Sequence, residues 1–135
     1  MRKGSLLRTH LVNIGRLVIK ELRSIGADPV MLILVVYAFT IAMAHFAARR
    51  FERAAEWADR ALHDQPRLAS AMRLKVAALA YLGDLDEARA ELSRLLAIDP
   101  KVTIAGYREY AAHFLAPEAL ELPVIGLRLA GMPED

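Results

Sequence analysis

The side chains of this sequence that could do chemistry are one group of carboxylates and four histidines. The carboxylates lie together, at Asp84, Asp86, Glu87 and Glu91. Paired carboxylates can act as general acid and base, but no nucleophile, second base or oxyanion-binding pattern accompanies them. The first three fit better at the start of a helix, where they stabilise its positive dipole end. Glu91 lies three residues before Arg94, a spacing that allows a surface ion pair.

The histidines are too far apart in sequence to suggest a metal site. They are His10, His45, His63 and His113, so no two fall on one helical turn, as paired ligands usually do. The seven glycines form no phosphate-binding pattern. The absence of cysteine excludes disulfides, thiolate metal sites and cysteine nucleophiles. We therefore predict that the protein is not an enzyme and has no cofactor and no metal site.

Length and charge narrow the remaining classes of fold and function. A chain of 135 residues holds one ordinary domain, or a small domain with an appendage. The net charge is only +2, so bulk electrostatics predict no nucleic-acid partner. Apolar residues make up 56%, above the usual range. The excess is concentrated between Pro29 and Ala48, which points to one unusually apolar element.

Residues 1–28 predict a basic amphipathic helix, over residues 5–24. Its apolar positions follow a helical spacing: Leu6, Leu7, Leu11, Ile14, Leu17, Val18, Leu22 and Ile25. Its charges are mostly basic, namely Arg2, Lys3, Arg8, Arg16, Lys20 and Arg23 against Glu21 and Asp28. A basic segment before an apolar run fits a membrane surface, and the alternative is an ordinary solvated helix face.

Residues 29–48 form an apolar helix without a formal charge. Twenty helical residues reach about 30 Å, the hydrocarbon thickness of a bilayer, so the segment is a candidate membrane span. Two alternatives stay open: a buried first helix of a repeat, or a homo-oligomer interface that depends on Ile33 or Val36. Basic residues on both sides give no orientation by the positive-inside rule. We expect association with a bacterial inner membrane, with a cytoplasmic location as the alternative.

The third part, residues 49–135, predicts five helices and no strand, so the fold class is all-α. The helices cover residues 51–63, 68–82, 85–97, 104–115 and 117–129. Gly83 is a good left-handed C-cap, Asp84 with Glu87 gives a capping-box pattern, and Thr103 is an N-cap. Pro123 predicts a kink or a break in the last helix.

Two of these helices repeat each other at a spacing of 34 residues. The matching pairs are Phe51/Leu85, Ala54/Ala88, Ala58/Leu92, Ala61/Leu95, Leu62/Leu96 and Pro66/Pro100. With this period, residues 35–115 resemble the tetratricopeptide family, most specifically from Tyr81 to Ala88. Lys75 departs from the family's usual leucine, and Arg49 replaces the turn glycine found at Gly83. The small residues of the repeat suit close helix approach, and Trp57 suits packing better than a binding hot spot.

The resemblance implies a short right-handed stack of helical hairpins that binds a protein or peptide. First helices of the repeats line the binding groove in this family. On those helices we expect peptide contacts from Arg73, Tyr81, Tyr107 and Arg108, by helix-in-groove or carboxylate recognition.

Two further resemblances divide the chain near residues 42–45, as if two gene pieces were joined there. The stretch from Phe46 to the end, through its segments 54–66 and 126–134, is similar to the C-terminal tails of rhizobial-type adenylate/guanylate cyclases and related winged-helix regulators. That likeness implies a detached regulatory tail of a signalling protein, without the catalytic half. Residues 10–43 resemble the start of export-type ATP-binding-cassette permeases, which implies a truncated membrane component. One candidate span cannot enclose a transport pathway.

Taken together, the sequence predicts a non-catalytic protein–protein interaction module built of tetratricopeptide-like repeats. We expect it to be attached to a membrane, or to self-associate, through the apolar helix. The truncated permease-like component and the cyclase-like regulatory tail are the alternatives.

Overall fold

The computed structural model describes residues 2–23 and 28–135, with side chains described for residues 4–20 and 28–135. These residues form helices and no strand, which confirms the all-α prediction. The helices are α1 (Arg2–Arg23), α2 (Pro29–Ala47), α3 (Phe51–Asp64), α4 (Ala69–Tyr81), α5 (Leu85–Ile98), α6 (Ile104–Ala111) and α7 (Pro117–Leu129). The predicted apolar contributions of Leu22 and Ile25 fall outside the described side chains.

Three consecutive helical hairpins, α2–α3, α4–α5 and α6–α7, make up the body of the protein. The central helix is α4, which packs on α3, α5 and α7 and also touches α2. Nine of its thirteen residues are buried, so α4 has almost no solvent face. The small residues Ala54, Ala61 and Ala88 are completely buried where neighbouring helices meet, as the repeat pattern predicted.

Left-handed residues end α2 and α4 in the same way. Gly83 has φ +80° and Arg49 has φ +60°. In each turn, the amide that follows the left-handed residue donates to the carbonyl five residues earlier, at 3.0 Å after Gly83 and 2.8 Å after Arg49. This is the hydrogen-bond pattern of a Schellman motif. Arg49 therefore occupies a position that favours glycine, as the departure from the repeat pattern indicated.

The two proposed N-caps differ in their backbone. Thr103 is extended (ψ 164°), and its hydroxyl accepts a hydrogen bond from the Gly106 amide, which confirms the predicted cap. Asp84 precedes α5 with ψ 65°, and its side chain makes no capping hydrogen bond, so the predicted capping box is wrong. The tight turn at Gly83 holds Asp84 away from the extended conformation that lets a side chain reach the first helical amides.

The last helix runs through its internal proline without a break. α7 is continuous from Pro117 to Leu129, with Pro123 buried inside it, so the helix does not break at this residue. The packing of α7 on α4 maintains the helix across the one amide that proline lacks. By contrast, α6 ends at Ala111, four residues earlier than the sequence predicted.

The C-terminal residues fold back onto the start of α6. The Pro133 carbonyl accepts a hydrogen bond from the Ile104 amide at 2.8 Å, and the Glu134 carbonyl accepts one from Ala105 at 3.0 Å. Helix starts leave such amides without partners inside the helix. Here the tail and the Thr103 hydroxyl satisfy the first three amides of α6, so the tail is part of the third hairpin.

One helix of the described part, α2, is long and apolar enough to cross a membrane. This finding rests on length and composition, and the core helix of a soluble protein passes the same test. One face of α2 is buried, at Val35, Ala38, Phe39, Ala42 and Phe46. The other face is exposed, so α2 is neither a fully buried core helix nor a helix free on all sides.

Candidate functional site

Two of the four predicted peptide contacts, Arg73 and Tyr107, lie together. The guanidinium carbon of Arg73 on α4 is 5.7 Å from the centre of the Tyr107 ring on α6. It is 5.4 Å from the centre of the Tyr110 ring, one turn further along α6. A cation held over two aromatic faces is a stabilising arrangement. Residues of the second and third hairpins thus form one cluster, which we call the Arg73 cluster (Arg73, Tyr107 and Tyr110).

Tyr81 lies away from this cluster, at the other end of α4. Its ring stacks on Phe51 with centroids 4.3 Å apart, and its hydroxyl donates to the Leu122 carbonyl at 2.6 Å. Burial raises the pKa of the Tyr81 phenol, although the positive charge of Arg49 acts in the opposite direction. Tyr81 therefore joins the three hairpins and does not face the groove that the Arg73 cluster lines.

Arg108 also points away from the cluster, toward α7. Its guanidinium donates two hydrogen bonds to the Glu121 carboxylate, at 2.5 and 3.2 Å. These bonds lower the pKa of Glu121. Because both terminal nitrogens of the guanidinium bind Glu121, Arg108 joins α6 to α7 and does not line the groove of the Arg73 cluster.

The Arg73 cluster forms one wall of an open groove of about 630 Å³ between α1, α4 and α6. Leu17 and Lys20 contribute the α1 side, and Asp99 and Thr103 lie at the end before α6. The Asp99 carboxylate accepts a hydrogen bond from the Lys101 amide at 3.1 Å. The groove therefore contains two cations and one carboxylate that is already engaged.

An apolar cavity of about 80 Å³ lies next to the groove, beneath α1. Phe39 and Met43 of α2, Leu74 of α4 and Phe114 line it, and Val18 of α1 covers it. This volume holds only a few atoms. It shows that α1 lies over the concave side of the first helices without filling the space between them.

Electrostatics give the groove a positive centre at neutral pH. Burial raises the pKa of Tyr107 to about 12, and the charge of Arg73 only partly opposes this effect. The phenol is therefore a neutral hydrogen-bonding group across the physiological range, whereas the guanidinium stays charged. Such an arrangement can bind a carboxylate, with the phenol as a second polar contact.

Sequence reasoning missed part of this site. Tyr110 follows Tyr107 by three residues, and Lys20 follows Leu17 by three, spacings that place each pair on one helix face. The first pair could have been found from the sequence. The participation of α1 could not, because no local pattern says which surface an amphipathic helix packs against.

A second polar cluster lies on the opposite side of α4. Lys75 Nζ is 2.7 Å from Asp59 Oδ1 and 3.4 Å from Glu91 Oε2, and Arg94 reaches the same Glu91 oxygen at 3.2 Å. Burial disfavours the charged amine, but the hydrogen bond from Lys75 to Asp59 and the field of Glu91 outweigh it and raise the pKa of Lys75. Its two positive and two negative charges balance, which indicates a structural role.

Metal ligation has no support in the described part of the chain, where no three His, Asp or Glu side chains come together in a way that could hold an ion.

The hairpins of the body repeat at a nearly constant spacing. Their second helices α3, α5 and α7 begin at residues 51, 85 and 117, so the spacing of 34 is followed by one of 32.

Comparison with protein-family models, with curated proteins and with solved structures gives no significant match to this chain.

Proposed function

We propose that this chain is a non-catalytic, tetratricopeptide-like interaction module that binds a carboxylate-bearing peptide segment and is attached to a bacterial inner membrane through its N-terminal helices. The observation that supports peptide binding is the Arg73 cluster in the open groove. Residues from two successive hairpins supply it, as expected for a ligand that lies across a helical stack.

Arg73 is suited to recognising a carboxylate. The two tyrosine rings hold its guanidinium in place, and no acidic side chain among the described residues lies within 4 Å of it. A planar guanidinium can donate two parallel hydrogen bonds to a carboxylate. The apolar residues Leu17, Ala69 and Val102 of the same groove would contact an aliphatic side chain of the peptide.

Selection of binders from a library of displayed random peptides, with the full chain as the target, tests this assignment. We expect the selected peptides to be enriched in acidic residues or to need a free C-terminus. Arg73→Gln should weaken the binding of a selected peptide by about ten- to a hundredfold, the effect of losing a charge-assisted hydrogen bond. The matched control is Arg89→Gln on α5, an exposed arginine, which should bind as the wild type does. Selected peptides without acidic groups, or equal binding by both variants, would refute carboxylate recognition at Arg73.

The exposed face of α2 supports attachment to a membrane. Val30, Ile33, Leu34 and Tyr37 are all more than half exposed and follow a helical spacing along one side of the helix. A continuous exposed apolar stripe of this kind marks an interaction surface. The opposite face packs on α3, and α3 carries Glu52, Arg53, Glu56 and Arg60 on its exposed side. A bilayer span by α2 would draw these charges into hydrocarbon, so we propose that α2 lies along the interface.

Flotation of the purified full chain with lipid vesicles tests the attachment. We expect Ile33→Glu together with Leu34→Glu to reduce the floating fraction, because both side chains are exposed and their replacement costs little packing. Leu129→Glu is the matched control, since Leu129 is an exposed leucine on α7. Wild-type protein that stays at the bottom of the gradient would rule out attachment through α2.

A further inference from the structure

We infer that α1 is a binding surface for anionic phospholipid, and that its N-terminal half lies in the plane of the bilayer interface. The inference rests on the proposed membrane attachment and goes beyond it by naming the helix and the lipid class. Three features of α1 carry it: a half-covered apolar face, a basic face whose described side chains have no acidic partner, and a loose hold on the body.

The apolar face of α1 is covered at one end only. Leu7, Leu11, Ile14 and Val18 are spaced by four, three and four residues and so form one row along the helix. At the C-terminal end Val18 is buried and Ile14 lines the cavity next to α2. At the N-terminal end Leu7 is 63% exposed and Leu11 is 60% exposed, and no other described element covers them. The N-terminal part of this apolar row therefore extends beyond the body and is exposed to solvent.

The charges of α1 fit an anionic surface. Arg8, Arg16 and Lys20 lie away from the apolar row and are exposed, and the described side chains of α1 include no carboxylate. None of the three lies within 4 Å of an acidic side chain among the described residues. A helix with leucines on one side and unpaired basic residues on the other is the type that lies on anionic membranes.

The attachment of α1 to the body is slight. Of the seventeen residues 4–20, only Val18 is buried, and a cavity remains beneath the helix. A second copy of the chain is a poorer occupant for the exposed leucines. Pairing two α1 helices would bring like charges together, which costs energy, whereas the negative potential of the bilayer surface attracts each basic residue.

The test is flotation of the full chain with two kinds of vesicle, phosphatidylcholine alone and phosphatidylcholine with phosphatidylglycerol. We expect stronger binding to the second kind, weakened by added salt. Removing one basic residue should lower the partition coefficient about fivefold, so Arg8→Gln with Arg16→Gln should lower it by more than tenfold. Arg67→Gln with Arg89→Gln removes the same charge from two exposed residues outside α1 and should have no effect.

The outcomes separate this inference from the membrane attachment itself. Equal binding to both vesicles, unchanged by Arg8→Gln with Arg16→Gln, would leave attachment through α2 standing and overturn the role of α1. No binding to either vesicle would overturn both. Circular dichroism of each variant in solution, with the helical signal of the wild type, confirms that a loss of binding comes from the changed side chains.

Discussion

At the scale of single residues, Lys75 shows how a departure from a repeat pattern is accommodated. It stands where tetratricopeptide-like sequences usually have leucine, and it is buried together with Glu91. Burying either charge alone would be costly. The amine lies between Asp59 and Glu91, and Arg94 also reaches Glu91, so the second helices of two successive hairpins are joined through one lysine.

We expect Lys75→Met to lower the free energy of unfolding by about 3 kcal/mol, because it leaves the buried Glu91 carboxylate with Arg94 as its one cation. Lys75→Met combined with Glu91→Leu should recover most of that loss, since an apolar pair of similar volume needs no charge partner. Urea unfolding of the two variants and the wild type measures both values. If the single variant were as stable as the wild type, the network would contribute nothing to the fold.

Arg49 is the second departure from the repeat pattern, and its backbone is strained. A residue with a Cβ at φ +60° is disfavoured relative to glycine. We expect Arg49→Gly to raise the stability by about 0.5–1 kcal/mol, seen as a higher urea midpoint with the same slope. The reciprocal variant Gly83→Arg places a side chain at φ +80° and should destabilise by a similar amount. A lower midpoint for Arg49→Gly would mean that its side chain stabilises the fold in another way.

Tyr107 should make the stability depend on pH in alkaline solution. Its pKa is raised by burial to about 12 in the folded protein, against about 10 when unfolded. A raised pKa means that the folded state holds the proton more tightly. The stability contribution is therefore complete below pH 10 and is lost as the pH rises to about 12, by up to about 3 kcal/mol.

Tyr107→Phe removes the pH-dependent contribution of the phenol to the free energy of unfolding. Because the pKa values of Lys75 and Tyr81 are also raised in the folded protein, the wild type and the variant should both lose stability in alkaline solution, but the variant less steeply. Urea midpoints measured at several pH values up to the onset of alkaline unfolding give the two slopes. Parallel slopes would show that the Tyr107 phenol is not held in its neutral form.

At the scale of the elements, a glycine allows α7 to pack closely against α4. A Cβ on Gly126 would lie 2.8 Å from Ala77 Cβ and 2.9 Å from the Ala77 backbone. α4 cannot move away from the added methyl easily, since it is held on its other sides by α3 and α5. Gly126 and Ala77 therefore set how near the two helices approach.

We expect Gly126→Ala to destabilise the protein by about 2 kcal/mol, because overpacking outweighs the better helix propensity of alanine. Gly15→Ala in α1 is the control: it is also a glycine within a helix, but nothing lies within 4 Å of the added methyl. That variant should gain up to about 1 kcal/mol of helix stability. Thermal unfolding of both separates the packing effect from the propensity effect.

The helices themselves were largely predictable, whereas their docking was not. Periodicity, prolines and the glycine at residue 83 placed the helices of the body, and the 34-residue spacing placed the small residues at their contacts. The directions of Tyr81 and Arg108 were not accessible in the same way. Each is fixed by a residue of α7, Leu122 or Glu121, more than ten positions away, and no local pattern encodes that pairing. Of the four predicted binding residues, Arg73 and Tyr107 therefore lie together, whereas Tyr81 and Arg108 lie elsewhere.

At the scale of the whole molecule, the third hairpin does not simply continue the series. Its second helix, α7, packs on α4, and the C-terminal tail returns to the first turn of α6. The body is therefore closed at its C-terminal end. At its N-terminal end, α1 lies over the groove with Val18 as the one buried residue among residues 4–20, so the two ends of the stack differ in how firmly they are held.

This closure changes how the molecule should come apart. In an open solenoid each repeat touches only its neighbours, so terminal repeats can fray one at a time. Here, detaching α7 uncovers α4, and α4 is the helix that every hairpin of the body shares. We expect α4 and α7 to unfold as one cooperative unit while α1 opens locally. Native-state hydrogen exchange would then give equal opening free energies for α4 and α7, much above that of α1. Faster hydrogen exchange in α7 than in α4 would instead show that the protein unfolds from its C-terminus.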